Sequence, residues 1–281
     1  MMKIKKIAFQ GMHGAYSDLV CRKFYKSYQT YPCLTFEQTL SSVLNEKAEL
    51  AMIPVENSIA GRVTDMHILL ENTNLKIIAE YYHRVEHHLL AKKNVKINDI
   101  KNVYSHIHAL NQCKKNINKY GLNSINFIDT AGAAEFISKS NNPENSAVAS
   151  ELAAKIYNLK VFKKNFEDEI NNVTRFLVFS KTSVKVNLKK KVITTLIFKT
   201  KNLPASLYKA LGGFATNGIN LTRLENFFMN KNFDQSSFLI DVECHPEKEP
   251  FLQALKELSY YASNVKILGY YVASKYRSKI N

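Results

Sequence analysis

Asn171-Asn172-Val173-Thr174-Arg175-Phe176 gathers two amides, a hydroxyl and a guanidinium into six residues. It runs into Phe176-Leu177-Val178-Phe179, an apolar run of strand length, so a polar loop feeds a buried strand. A guanidinium whose stem is fixed where loop meets strand can turn its planar fork toward a cleft and grip a carboxylate bidentately. An ordinary ion pair at a strand edge is the plainer reading of Arg175 when the hexapeptide is taken alone. Other polar groups that could bind or orient a ligand are Glu56-Asn57-Ser58, Ser105-His106, Gln112 and Asp129-Thr130. The histidines His13, His87-His88 and His108 lack ligand partners at usable spacing, and Cys21, Cys33, Cys113 and Cys244 form no CxxC pair. No metal or cofactor is expected, and the thiols are expected to be reduced and buried.

The elements that must position these groups follow one rhythm. Ile7-Ala8-Phe9 reads as a strand with a helix from about Ala15, and Leu50-Ala51-Met52-Ile53 as a strand with a helical pattern from Ile59. Val103-Tyr104, Phe127-Ile128 and Ala147-Val148-Ala149 each lead through a polar residue into a helix. Strands alternating with helices predict an α/β architecture with a largely parallel sheet. Every polar cluster then falls after a strand and at the start of a helix, where ligands of open α/β sheets bind. Helix starts carry unpaired N–H groups and a positive dipole end, which favour anions. Taken singly, Ser17, Ser58, Thr130 and Ser150 read equally well as N-caps.

The rhythm lapses near Ser183 and the basic run Lys189–Lys191. Strands at Val192–Lys199, Ile219–Asn226, Phe238–Glu243 and Val265–Tyr271, with helices near Ala205–Ala215 and Glu249–Tyr261, then spell a βαββαβ order. That order predicts a separate ferredoxin-like domain. The chain is thus expected to hold a two-lobed domain over residues 1–182, a linker over 183–191 and a small domain over 192–281.

A chain of 281 residues with 46% hydrophobic and 11% aromatic content can fill two such cores. The net charge of +15 is scattered, with no arginine-rich patch or nucleic-acid motif, so a cleft for an acidic small molecule is expected rather than nucleic acid. No run approaches the ~20 apolar residues of a membrane span. The apolar part of the N-terminal segment is too short for a signal-peptide core, so a cytoplasmic protein is expected.

Several of these segments match one known pattern. Ile53-Pro54-Val55-Glu56-Asn57-Ser58 with Gly61 and Val63 resembles the PIENS signature of prephenate dehydratases. Gln10-Gly11-Met12-His13-Gly14-Ala15-Tyr16-Ser17 resembles that family's opening glycine motif, and Ser105–Leu110 with Gln112 and Cys113 its SHPQAL.QC segment. Asp129–Ala134 and Asn172–Phe176 match its TAGAA and TRF motifs. Leu207–Leu211 and Asn220–Glu225 resemble the ACT domain that usually follows. The resemblance runs from about Lys5 to Arg277, and the order and spacing of all the motifs together are highly specific. Departures are Ile107 and His108 in place of Pro and Gln, and Ala15 where many members have Thr.

The resemblance implies two α/β lobes around a cleft, as in a type 2 periplasmic binding protein, followed by an ACT domain. It implies a carbon–oxygen lyase that turns prephenate into phenylpyruvate without a cofactor, in L-phenylalanine biosynthesis. By the same resemblance Thr174 donates to the leaving hydroxyl, with Arg175, Glu56 and Asn57 as its catalytic neighbours. Ser58, Ser105, Gln112 and Thr130 orient substrate, and Phe176 walls the cleft. Glu56 and His106 remain alternative proton donors. The ACT domain is expected to bind L-phenylalanine through Pro204, Ala205, Ser206, Leu207, Glu225 and Asn226, at an interface within a homodimer or homotetramer. Gly-Ala-Leu is usual where Ala205-Ser206-Leu207 stands, and Glu-Ser where Glu225-Asn226 stands, so weaker or altered feedback is expected. Arogenate dehydratase and a non-catalytic ligand sensor on the same cleft are the competing readings.

Overall fold

The computed structural model describes residues 4–63, 66–228 and 236–279. Its contacts divide it into two compact units, Met1–Val63 with Tyr82–Phe176, and Thr64–Tyr81 with Leu177–Asn281.

The first unit contains two α/β lobes. In chain order the first lobe is β1 (Lys6–Gln10), α1 (Tyr16–Phe24), β2 (Gln29–Cys33), α2 (Phe36–Leu44), β3 (Leu50–Asn57) and β4 (Gly61–Arg62). β1 pairs in parallel with β2 on one side and β3 on the other. Ile7, Ala8 and Phe9 of β1, like Ala51, Met52 and Ile53 of β3, are buried on both faces of the sheet, which is why they read as unbroken apolar runs. β2 carries Pro32 at the sheet edge, where a missing N–H is tolerated and an alternating strand pattern is weak. The chain next runs through α3 (Met66–Asn72) and β5 (Lys76–Arg84), and re-enters the first unit at Tyr82.

The second lobe comprises β6 (His88–Ala91), β7 (Asn102–Ser105), α4 (Ile107–Gln112), α5 (Lys114–Lys119), β8 (Asn123–Asn126), α6 (Thr130–Lys139), β9 (Asn145–Ala149), α7 (Glu151–Ile156) and β10 (Lys160–Lys163). Its sheet has the order β10-β6-β9-β7-β8, parallel among β7, β8 and β9 and antiparallel at β6 and β10. Period-two alternation sends Leu89, Ala91 and Val148 into one core and Leu90, Ala147 and Ala149 into the other. Ala133 and Ala134 of the small-residue motif let α6 close on that second face. The unit ends in the start of β11 (Val173–Ser180), the strand expected after the polar hexapeptide.

The helix expected from Ile59 is absent. β3 continues to Asn57, the chain turns back as β4, and the next described helix is α3, Met66–Asn72. Asn57 causes the turn: its Oδ1 accepts the N–H of Ile59 at 3.0 Å and of Ala60 at 2.8 Å, and Gly61 follows at φ +78°. The expected N-caps also redistribute. Ser150 caps α7, whereas Asp129 rather than Thr130 caps α6, and Ser17 lies inside the first turn of α1. The strand expected at Phe127-Ile128 ends before either residue, at Asn126.

The second unit contains β12 (Val192–Thr200), α8 (Ser206–Thr216), β13 (Leu221–Phe228), β14 (Ser236–Val242), α9 (Glu249–Tyr261) and β15 (Ala262–Val272). The order β13-β14-β12-β15, antiparallel at each pairing, is that of a ferredoxin-like βαββαβ fold. Its core joins Leu196, Phe198, Phe214, Ile240, Phe251 and Leu258 from sheet and helices. Residues 181–191 before β12 form neither helix nor strand. The same unit holds α3 and the first part of β5. Gly269 of β15 pairs in parallel with Ile77, and a Cβ at Gly269 would fall 2.2 Å from the Ile77 carbonyl oxygen. Lys266 donates to the carbonyls of Glu71 and Thr73 at the end of α3, and Arg277 grips the buried Glu80 through Nε and Nη2 at 2.7 and 2.9 Å.

Candidate active site

The end of β3 and the start of β11 meet at the centre of the first unit. Ser58 fixes the two chains side by side. Its Oγ donates to the Asn171 carbonyl at 2.7 Å and accepts the Val173 N–H at 2.9 Å. Behind this clamp Arg175 Nη1 lies 2.9 Å from Glu56 Oε2, and the guanidinium is 97% withdrawn from solvent, with 3% of its side chain exposed. In front of it Asn57 Nδ2 donates to Asn172 Oδ1 at 2.6 Å and to Thr174 Oγ1 at 2.9 Å. The two sequence motifs, more than a hundred residues apart, therefore form one layer.

These residues open onto a cavity of about 330 Å³ shared by the two lobes. Thr174, Asn57, Gln112, Thr130 and Phe176 line it. Glu56 and Arg175 sit behind the lining as an ion pair, so Arg175 adopts the plainer of its two expected arrangements. Ser58 acts on backbone, and Ser105 is fully buried with its hydroxyl donating to the Val148 carbonyl at 2.6 Å. The first residues of α1 and α6 line the cavity, bringing two helix starts to one cleft. Among the described lining residues are three histidines, His87, His106 and His108, and one carboxylate, Asp129, with no lysine or arginine.

Burial and the nearby His108 hold the His106 imidazole below its usual pKa, and its Nδ1 accepts the His108 N–H at 3.3 Å as the cap of α4. His87 is buried, which lowers its pKa also. Its Nε2 lies 2.9 Å from Gln112 Oε1, and its Nδ1 lies 2.7 Å from the Tyr16 hydroxyl. Asn172 Nδ2 donates to the same Gln112 oxygen at 2.7 Å. One hydrogen-bonded series thus joins Tyr16, His87, Gln112, Asn172, Asn57 and Thr174. Tyr16, His87 and Asn172 received no role from the sequence. Tyr16 and Asn172 stand inside quoted motifs, whereas nothing around His87 marked it, because its partners lie 25 and 71 residues away.

The glycine motif closes the lobes on each other. Gly14, at φ +95°, lies so near α7 that a Cβ would come within 2.9 Å of the Ala153 Cα. Ser150 Oγ donates to the Gly14 carbonyl at 2.5 Å, and the Tyr157 hydroxyl to the His13 carbonyl at 2.8 Å.

The residues expected to bind an amino acid lie in the second unit. Pro204 and Ala205 are exposed before α8, and Ala205 is left-handed at φ +58°, a conformation that favours glycine. Ser206 is buried, with Oγ donating to the Tyr261 carbonyl at 3.3 Å, and Leu207 packs on the core. Glu225 Oε1 accepts from Arg223 Nε at 3.0 Å and Nη2 at 2.9 Å, and Asn226 is exposed on β13.

Residues 7–184 match the family model described as prephenate dehydratase. The chain is 44% identical over 274 residues to a bifunctional N-acyl-homoserine lactone acylase/prephenate dehydratase of Komagataeibacter europaeus, covering 97% of this chain and 98% of that one. It is 35% identical to arogenate dehydratase/prephenate dehydratase 2 of Arabidopsis thaliana, over 95% of this chain and 72% of that protein. The prephenate dehydratase of Arthrobacter aurescens, solved in complex with L-Phe, superposes with a TM-score of 0.87 at 25% identity, over 95% of this chain and 90% of that one. The chain belongs to the prephenate dehydratase family of lyases.

Proposed function

We propose that this chain converts prephenate to phenylpyruvate, carbon dioxide and water. The bond from ring to carboxylate breaks, its electron pair enters the ring, and the ring hydroxyl departs with that charge. One proton must reach the departing oxygen to complete water. The electrons stay within the substrate, so the reaction calls for no redox partner, and aromatisation drives it.

The observation that carries the reading is the direction of one hydrogen bond. Asn57 Nδ2 can only donate, so Thr174 Oγ1 must accept, and the proton of Thr174 is left for the cleft. A threonine hydroxyl is too weak an acid to be matched to neutral pH. Thr174 therefore works as a preorganised donor whose hydrogen bond strengthens as negative charge grows on the leaving oxygen. Asn57 orients it, Gln112 and Thr130 orient the substrate, Phe176 is an apolar wall, and the Glu56–Arg175 pair holds the two strands in register. The prephenate carboxylates meet the starts of α1 and α6. Arogenate, which carries an amino group in place of the keto oxygen, is the alternative substrate.

Residues 1–182 serve catalysis in this reading, 183–191 link, and 192–281 form an ACT domain that binds L-phenylalanine and lowers activity, in a cytoplasmic homodimer or homotetramer. The L-Phe complex of the Arthrobacter relative supports that assignment. The near-complete match to the Komagataeibacter relative favours a second activity, amide hydrolysis of an N-acyl-homoserine lactone. Purified protein is assayed with prephenate and then arogenate by ultraviolet detection of aromatic product, and separately with an N-acyl-homoserine lactone for released amine. Absence of aromatic product from both ring substrates contradicts the main reading.

A further inference from the structure

The hydrogen-bonded series behind the cleft has a fixed direction. Asn57 Oδ1 accepts two backbone N–H groups, so its nitrogen faces Asn172 and Thr174. Asn172 must then present its oxygen to Asn57 and its nitrogen to Gln112. Gln112 Oε1, an acceptor only, receives Asn172 and also His87 Nε2, so Nε2 carries a proton. In the neutral imidazole Nδ1 is therefore a bare lone pair, and the Tyr16 hydroxyl 2.7 Å away donates to it.

A proton added at Nδ1 reverses one bond and disturbs no other. Nδ1–H then donates to the Tyr16 oxygen, and the Tyr16 proton turns to the Glu86 carbonyl, 3.0 Å away. The bond from Nε2 to Gln112 is unchanged, and with it the polarity that leaves the Thr174 proton to the cleft. The surroundings accept the charge. Glu167, buried, accepts the His87 N–H at 2.8 Å, and Arg84 Nη2 lies 3.4 Å from the other Glu167 oxygen. The Gln112 hydrogen bond and Glu167 favour the imidazolium while His88 opposes it. Cys113, behind Tyr16, has its thiol pushed up by burial and stays neutral. Burial dominates and keeps His87 below its usual 6.5, hence neutral at pH 7.

We propose that His87 takes up a proton from solvent when a dianion enters the cleft, and that the imidazolium is a counter-charge that the described lining residues otherwise lack. The proposal rests on the reading of the substrate as a dicarboxylate. Its sign is definite. Ligand affinity is highest below the pKa of the free imidazole and falls as pH rises through the pKa of the bound one, tenfold for each unit between the two.

Prephenate is titrated calorimetrically into the full chain carrying Thr174→Val, which holds turnover, in two buffers of different ionisation enthalpy. Close to one proton is taken up per prephenate near the midpoint of the affinity profile. His87→Gln on that background keeps a donor for Gln112 but holds no charge, so the uptake disappears and the affinity becomes flat with pH. Tyr16→Phe removes the group that receives Nδ1–H, so it reduces the uptake with His87 still present. Uptake unchanged in the His87→Gln protein, or binding without uptake in the parent, overturns the proposal. Absence of turnover by the wild-type chain sinks the proposed reaction alone, because proton-linked binding is read without turnover. No binding of prephenate at all overturns both.

Discussion

Arg175 was the residue on which the sequence pointed two ways, toward a carboxylate-gripping fork or an ion pair. The pair with Glu56 decides its setting in this structure, because a guanidinium so buried cannot stay unpartnered. Breaking one side of a buried pair costs about 3–5 kcal/mol, and the partial exposure of Glu56 brings that toward about 2–3 kcal/mol. Arg175→Met should therefore lower the midpoint of denaturant unfolding clearly, whereas a purely substrate-binding role would leave it unchanged and alter only KM. Thr174, Asn57 and Gln112 were legible because they stand in motifs whose types suggest their chemistry. His87 and Tyr16 were not, since their significance comes from a hydrogen-bond direction passed along side chains of five different segments. That direction begins at the backbone N–H groups of Ile59 and Ala60, which local spacing cannot reveal. The helix expected from Ile59 failed for the same reason: the Asn57 amide captured those groups before a helix could use them.

At the scale of elements, the cleft depends on how α1, α7 and the glycine motif between them fit. Gly14→Ala places a methyl against the Ala153 backbone at a left-handed φ, a strain of about 1–3 kcal/mol. The least costly relief parts the Gly14 carbonyl from Ser150 and moves α7 away. A folded Gly14→Ala protein should show KM for prephenate raised about tenfold or more with a smaller change in kcat. Equal kinetics at unaltered thermal stability would show that this contact does not set the cleft. The βαββαβ set was readable to within about three residues because every strand alternates or is apolar and Asn217-Gly218 marks a turn. β2, β4, β5, β6 and β10 were missed: β2, β6 and β10 are four or five residues long and mix Pro, His and Lys into their apolar positions, β4 has two residues, and β5 carries Lys76, Glu80, His83 and Arg84 among its apolar ones. Pairing with neighbours, not intrinsic preference, makes them strands.

For the whole molecule, the sequence held a clear order of domains but not the path of the chain. Residues 66–81 belong to the second unit, where Gly269 pairs with Ile77, Lys266 donates to the Glu71 carbonyl and Arg277 to Glu80. Nothing in the local pattern of 64–81 announces a partner some two hundred residues later. The proposed feedback requires reciprocal coupling of about 1–3 kcal/mol between amino acid and substrate. Ala205→Gly should relieve the left-handed alanine, stabilise the protein by about 0.5–1 kcal/mol and tighten L-phenylalanine binding measured by calorimetry. Unchanged binding together with the gain in stability would separate that loop from the ligand. Catalysis turns on the Thr174 proton, and single-turnover decay of prephenate in Thr174→Val and Thr174→Ser tests that role most directly. Thr174→Val should lower the rate by roughly 10²–10³ with substrate affinity nearly kept, while Thr174→Ser, which retains the hydroxyl, stays within about tenfold of wild type. A Thr174→Val protein that turns over prephenate at the wild-type rate would contradict it.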